Sequence, residues 1–113
     1  MTAEPMFVRV FQYTTTPGRC EEFEHAYGAD GEWVRLFAAS AGYMGSTLER
    51  ADDDRYRTQD LWRSASHFTA FLAANQEAYD AIDRMYGPLK LTEEHCGHFT
   101  ERQPAGAEWR VVS

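Results

Sequence analysis

Apolar and β-forming residues crowd positions 6–14, where Phe7, Phe11 and Tyr13 fall on one side of an extended chain and Val8 and Val10 on the other. This predicts a first strand with apolar groups on both faces, as in a sheet covered on both sides. Thr16-Pro17-Gly18 breaks the strand. Cys20, Phe23, Ala26 and Tyr27 then form an apolar stripe on a helix over residues 19–27. Glu21, Glu22 and Glu24 sit near its N-terminus, where the helix dipole favours negative charge, and Gly28 ends it. Asp30 is placed to cap a second short helix carrying Trp33, Leu36 and Phe37, closed by Ala41-Gly42. Residues 43–50 and 55–62 read as an antiparallel hairpin around the polar turn Asp52-Asp53-Asp54. Ser64 or Ser66 caps the longest helix, which runs to Tyr86. Phe68, Leu72, Tyr79, Ile82, Met85 and Tyr86 share one face, widened by Phe71, Ala74 and Ala78. Gly87-Pro88 stops that helix, and residues 92–101 form a fourth strand.

Strand, helical segment, strand, strand, helix, strand is the ferredoxin-like order, an α+β class with helices on one face of a four-stranded antiparallel sheet. The domain spans residues 1–102. Residues 103–113 form a C-terminal extension, a loop containing Pro104-Ala105-Gly106 followed by a short strand or arm. Val8, Val10, Met44 and Leu48 predict that the bare sheet face is covered, most simply by a second copy in a homodimer. Arg55, Arg57 and Gln59 alternate on one side of the third strand, which predicts an edge or an inter-subunit contact.

The chain of 113 residues carries seven Phe, six Tyr and three Trp, more rings than one small core readily hides, so part of the set is expected to line a pocket for a small aromatic ligand. A net charge of -7 disfavours nucleic acid and anionic membranes as partners. No apolar run reaches the length of a membrane span, and the first residues lack the basic and apolar regions of a signal peptide, which makes the cytoplasm the expected location. Cys20 and Cys96 form no CxxC pair and are expected to be free. No GxGxxG, P-loop, GxSxG or HExxH motif is present.

Several residues could carry chemistry, each with a structural alternative. Trp62 follows Tyr56, Thr58 and Asp60 on one strand face, as a pocket wall for a planar ligand or as core beneath the long helix. Asp60 in an apolar pocket would have a raised pKa and could act as a base; otherwise it pairs with Arg57 or Arg63. His95-Cys96-Gly97-His98 resembles a metal fragment, but alternation leaves Cys96 and His98 on one face and too few ligands for zinc, so no metal is expected. His98 is a candidate pocket acid or base, and His67, in the first turn of the long helix, a candidate for the pocket mouth. His25 reads as a solvent-facing helix residue. The aspartate run reads as a hairpin turn, with spacing unlike a calcium loop. Trp33, Phe37, Phe68, Phe71 and Tyr79 line a cavity or fill the core.

The sequence resembles the antibiotic biosynthesis monooxygenase-like proteins of the dimeric α+β barrel superfamily over nearly its whole length. The resemblance rests on Thr16-Pro17-Gly18 with Phe23, on residues 32–37, on Gly42-Tyr43-Met44-Gly45-Ser46-Thr47-Leu48, and on Tyr56 through Asp60-Leu61-Trp62-Arg63-Ser64. Phe68 with Phe71, Tyr79, and Glu94 with Gly97 and Phe99 complete it. It implies a dimer and, in the oxygenase members, oxidation of phenolic polycyclic substrates without metal or flavin. The strand Trp of the oxygenase motif corresponds to Trp62. The motif's Asn four residues earlier is Thr58 here, and its Tyr six residues later is Phe68. The haem-degrading pattern fits less well: Gln12 is the nearest first-strand candidate, and residues 75–86 contain no His.

The implied function is a cofactor-independent monooxygenase acting on an aromatic or polyketide-like molecule. Trp62 would orient the ring, Thr58 would hydrogen-bond its oxygen, Asp60 or a His would handle the proton, and Trp33, Phe37 and Phe68 would exclude water. The alternatives are a dimeric barrel protein that binds such a ligand without turnover, and a structural dimer whose rings are all core.

Overall fold

The structure, a computed structural model, describes residues 4–99 and 110–111, with side chains for residues 4–97. Strand β1 (Phe7–Thr15) is followed by α1 (Cys20–Tyr27) and α2 (Glu32–Ala38), then by the hairpin of β2 (Tyr43–Asp52) and β3 (Arg55–Trp62). Helix α3 (Ala65–Tyr86) runs into a 3-10 turn, Gly87–Leu89, which leads into β4 (Lys90–Phe99). A two-residue strand, β5 (Arg110–Val111), lies where the C-terminal extension was expected to form a strand. The sheet is antiparallel in the order β4-β1-β3-β2-β5, so the four long strands have the ferredoxin-like order. No helix among the described residues is long and apolar enough to cross a membrane.

One side of the sheet carries the helices and the core. Phe11 and Tyr13 of β1, Leu48 of β2, and Tyr56 and Trp62 of β3 meet Phe23 and Tyr27 of α1, Trp33 and Phe37 of α2, and Phe68, Phe71 and Ile82 of α3. The apolar stripe of α1 is buried as its spacing predicts, and Gly28 ends that helix in an extended conformation. A Cβ at Gly28 would meet the Glu24 carbonyl oxygen at 2.5 Å, which is why no larger residue fits that exit. Helix α2 is capped by the backbone of Gly31, and Asp30 makes no side-chain cap. Ser64 caps α3 by accepting from the His67 amide. The face of α3 is narrower than its pattern implies, since Ala74, Ala78 and Met85 are exposed. The helix is interrupted at Asn75 (φ -130°), whose side-chain amide donates to the Phe71 carbonyl and so competes with the helical ladder.

The other face differs from expectation. Val8 and Val10 are buried there, but Leu48 belongs to the helix-side core and Met44 is exposed. The cause is a β-bulge: Tyr43 pairs with Trp62 and Gly45 with Leu61, so Met44 is the extra residue. Gly45 has φ +129°, a conformation that glycine adopts without strain. Strand β3 lies inside the sheet, not at its edge. Arg57 and Gln59 both donate to one carboxylate oxygen of Glu49 on that second face, at 3.0–3.1 Å.

Gly42 fixes how the hairpin meets α3. Its carbonyl accepts from the Arg63 amide at 2.8 Å, and a Cβ there would lie 2.3 Å from the Cβ of His67. Gly42→Ala is therefore expected to destabilise the fold by about 1–3 kcal/mol through overpacking. A lowered urea midpoint with unchanged slope is the check.

Candidate functional site

Trp62, the residue expected to wall a pocket, is fully buried inside a ring cluster. Its ring lies 5.0–5.6 Å from those of Phe37, Tyr43, Phe68 and Phe71, mostly in edge-to-face geometry. It lines neither of the two recesses described below, and among the described residues its indole N–H has no acceptor. Phe68 shares that cluster and also lies under the Arg9 guanidinium, 4.3 Å from the ring centre.

The hollow lies farther along the same strand face. Phe11, Trp33, Val34, Phe37 and Tyr79 form its apolar walls, and Thr58, Asp60 and Ser46 its polar floor. Tyr13, Tyr27, Asp83, Lys90 and Glu93 close the opposite end. The recess measures about 480 Å³ out to its mouth, of which about 30 Å³ has room for the centres of water-sized spheres, so in this conformation it holds little more than a water molecule. A second recess, with about 300 Å³ of such room, opens beside it. The two share Tyr27, Val34, Ser46 and Thr47, while Asp60 faces only the inner one and Tyr43 only the outer one.

Asp60 is the chemically distinctive group. Alternation along β3 aims it at the helix side with Tyr56, Thr58 and Trp62. Ser46 donates to its Oδ1 at 2.7 Å. Neither expected arginine partner reaches it: Arg57 has turned to Glu49 on the other face, and no ion pair among the described residues involves Asp60. Burial pushes its carboxyl up to about 6, opposed by the Ser46 hydrogen bond and by the charge of Arg9 opposite it on β1. Arg9 lies over Phe11 and Phe68 and donates to the Tyr79 hydroxyl at 3.4 Å.

The far end has the opposite polarity. Lys90 donates to the Tyr27 hydroxyl at 3.1 Å and pairs with Glu93 and, at 3.5 Å, with Asp83. These partners hold its ammonium above its ordinary pKa despite burial. Burial also raises the Tyr13 and Tyr27 phenols, so both are neutral donors at physiological pH. The buried Trp33 indole N–H is directed at the Tyr27 hydroxyl. The recess thus joins a proton-accepting carboxylate at one end to a set of donors at the other.

Five of the expected residues come together here: Trp33, Phe37, Thr58, Asp60 and Tyr79. Trp62 and Phe68 lie behind them in the ring cluster. His67 is exposed at the start of α3, 2.7 Å from the Ser64 hydroxyl, away from the recess. The backbone of His98 pairs with Arg9, and its side chain lies outside the described residues. His95 stacks on Phe11, with ring centres 4.5 Å apart, because a register shift in β4 moves it to that side. No group of His, Cys, Asp and Glu among the described residues could hold a metal ion, and Cys20 and Cys96 are free. Ser46, Tyr27 and Lys90 escaped the sequence reading. Gly45 was the available signal for Ser46, since a glycine inside a strand often marks a bulge. Lys90 directly follows a helix stop and carried none.

A ferredoxin-like sheet with one helical layer and an aromatic recess between the two defines the structural class. No family sequence model matches the chain, and no curated protein is significantly similar to it. Solved structures do resemble it. The cofactor-independent oxygenase SnoaB of Streptomyces nogalater is 28% identical, with 88% of this chain and 96% of that one covered at a TM-score of 0.70. The PA3566 protein of Pseudomonas aeruginosa is 18% identical over 91% of this chain and 100% of that one, at 0.68. A Chloroflexus aurantiacus protein provisionally named an antibiotic biosynthesis monooxygenase is 16% identical over 89% and 97%, at 0.64. By its fold the chain resembles SnoaB and the antibiotic biosynthesis monooxygenase-like proteins.

The raised pKa of Asp60 makes stability depend on pH. A carboxyl whose folded pKa exceeds its unfolded one, about 3.9, contributes stability fully below that unfolded value and loses it as pH rises through about 6. Asp60→Asn stays neutral, so it is expected to flatten that decline and to exceed the parent by about 3 kcal/mol at pH 8. Urea midpoints from pH 4 to 8 provide the check, and parallel profiles for the two proteins would contradict the assignment.

Proposed function

We propose that the protein is a cofactor-independent monooxygenase for a phenolic, polyketide-like molecule, acting in the cytoplasm as a homodimer. The observation that carries the reading is Asp60: a carboxylate with no ion-pair partner among the described residues, facing an aromatic recess, with a pKa pushed up to about 6. Such a group takes a proton from a phenol or an activated CH near neutral pH. The substrate anion so formed supplies the electrons that reduce dioxygen. For a methylene oxidised to a carbonyl, one oxygen atom enters the carbon and the other leaves as water with the two hydrogens lost. The protein's contribution is to hold the ring between Trp33 and Tyr79, to exclude water, and to stabilise the anion. In this reading Thr58 donates to a substrate oxygen, and Tyr27 and Lys90 stabilise negative charge at the far end of the recess that all three line. Trp62 acts from behind, fixing Phe37 and Tyr43. SnoaB, of the same fold, is described as a cofactor-independent oxygenase, which favours this chemistry.

Binding without turnover is the second reading. It is favoured by Thr58 and Phe68 standing where the oxygenase motif has Asn and Tyr, and by the narrowness of the inner recess, which Trp33 and Tyr79 must widen to admit a ring.

Incubation with a panel of phenolic polyketides in air separates the two. Oxygen uptake that survives chelator and falls at least about a hundredfold in Asp60→Asn is expected. A ligand-induced tryptophan fluorescence change with no oxygen uptake selects the binding reading. The dimer is tested separately. Light scattering at micromolar concentration is expected to give twice the 13.0 kDa chain mass, and a monomer mass would end that proposal.

A further inference from the structure

A line of three hydrogen-bonded side chains crosses the wall between the two recesses. Tyr43 and Ser46 hydroxyl oxygens are 2.5 Å apart, and Ser46 donates onward to Asp60 at 2.7 Å. Because Ser46 donates to Asp60, its oxygen is left to accept from Tyr43. Asp60 opens only into the inner recess, Tyr43 only into the outer one, and Ser46 lines both. The arrangement depends on the bulge. In a regular strand residues 43 and 46 point to opposite faces, and the extra residue Met44 brings both hydroxyls to the helix side. The Tyr43 ring is fixed by Phe37 and Trp62 at 5.5 and 5.3 Å, so its hydroxyl has a set position.

We propose that Tyr43, Ser46 and Asp60 form a proton relay that discharges the carboxylate of the inner recess into the outer one, with Ser46 and Tyr43 as positioning residues for Asp60. The proposal rests on the reading of Asp60 as a base. A base that has taken a proton beneath a bound ring is cut off from the cavity mouth and needs another exit. In the transfer, the Ser46 and Tyr43 hydroxyls first turn to donate outward, Ser46 to the Tyr43 oxygen and Tyr43 to water, and the O–H bond of protonated Asp60 then breaks as Ser46 Oγ gains that proton. Ser46 gives its own proton to the Tyr43 oxygen, and Tyr43 gives its own to water in the outer recess. One proton moves in total and nothing is oxidised. Burial pushes the Tyr43 phenol up to about 12, so it carries the proton as a neutral group at neutral pH.

The charges around Asp60 leave this route open. Arg9 of β1 faces it and favours its ionised form. Tyr79 and Asp83 of α3, Tyr27 of α1, and Lys90 of β4 line the same recess. Lys90 is held by Tyr27, Glu93 and Asp83 at the far end.

The relay is tested on the full chain without ligand. Carbon-13 NMR of the Asp60 carboxyl gives its titration midpoint. Infrared hydrogen–deuterium exchange of the protonated carboxyl, assigned by its loss in Asp60→Asn, gives the rate at which the proton leaves. Ser46→Ala is expected to raise the proton affinity of Asp60 about tenfold by removing a hydrogen bond to its charged form. Ser46→Thr keeps a hydroxyl and is expected to retain the parent midpoint. Tyr43→Phe keeps the ring, and is expected to raise the affinity about threefold and to slow exchange about tenfold, because it ends the polarised chain. In a Ser46→Ala background it should do nothing further. The relay is overturned if Tyr43→Phe leaves midpoint and exchange unchanged, or acts equally with and without Ser46. No substrate enters these measurements, so absent oxygen uptake would remove the catalytic reading and leave the relay result standing.

Discussion

The hydrogen bond from Ser46 to Asp60 is the contact around which the site is arranged. A carboxylate beneath three helices has to be neutralised, paired or strongly solvated, because burial of an unpaired charge is costly. Here the nearby arginines are committed elsewhere, Arg57 to Glu49 and Arg9 to aromatic faces and Tyr79. One hydroxyl donor and the charge of Arg9, which makes no ion pair with it, stabilise the ionised form only in part, which leaves the pKa at about 6. A salt bridge in the same place would depress the pKa and remove the basicity. The tuning follows from which arginine faces which side of β3, and strand alternation sets that.

The aromatic side chains do two jobs that the composition could not separate. Most of them interlock: Trp62, Phe37, Phe68 and Phe71 form one cluster, and Tyr13, Phe23, Tyr27 and Tyr56 another, with ring separations of about 4 to 6 Å. A smaller set, Phe11, Trp33, Phe37 and Tyr79, leaves a gap above Thr58 and Asp60. The ring-rich composition therefore points mainly to a rigid interior and only partly to a hollow. Rigidity matters to function all the same, because the packed cluster behind the recess fixes Phe37 and Tyr43 and thereby the geometry in front of Asp60.

Much of the architecture was legible because its signals are local. The strand Arg55–Trp62 was bounded correctly by the aspartate turn on one side and Ser64 on the other, and α3 ends at Tyr86, where Gly87-Pro88 predicts. Asp60 and Thr58 were found for the same reason: on a regular inner strand, period-two alternation gives the face directly. Strand β2 was misread because the rule fails there. Strict alternation cannot put Tyr43 and Leu48 on one face, and one bulged residue does so. That single irregularity accounts both for Leu48 being assigned to the wrong face and for Ser46 being overlooked. Trp62 shows a different limit: alternation correctly gives its side of the sheet, but only the positions of Phe68 and Phe71 on α3 decide whether that spot is wall or core.

The departures from the oxygenase motif take on meaning in this setting. Phe68 stands where the motif has Tyr, inside the ring cluster beneath Arg9, so a hydroxyl there would need a partner in apolar surroundings. Thr58, where the motif has Asn, keeps a hydroxyl at the floor of the recess but lacks an amide's reach. With Thr58 in place of an amide, the floor of the recess has less hydrogen-bonding capacity, whereas Phe68 lies behind it in the ring cluster. The bulge in β2 brings a serine and a tyrosine to the neighbouring wall, already joined to the carboxylate. The hydroxyls that reach Asp60 in this chain therefore come from β2, and the bulge at Met44–Gly45 is what brings both to the helix side.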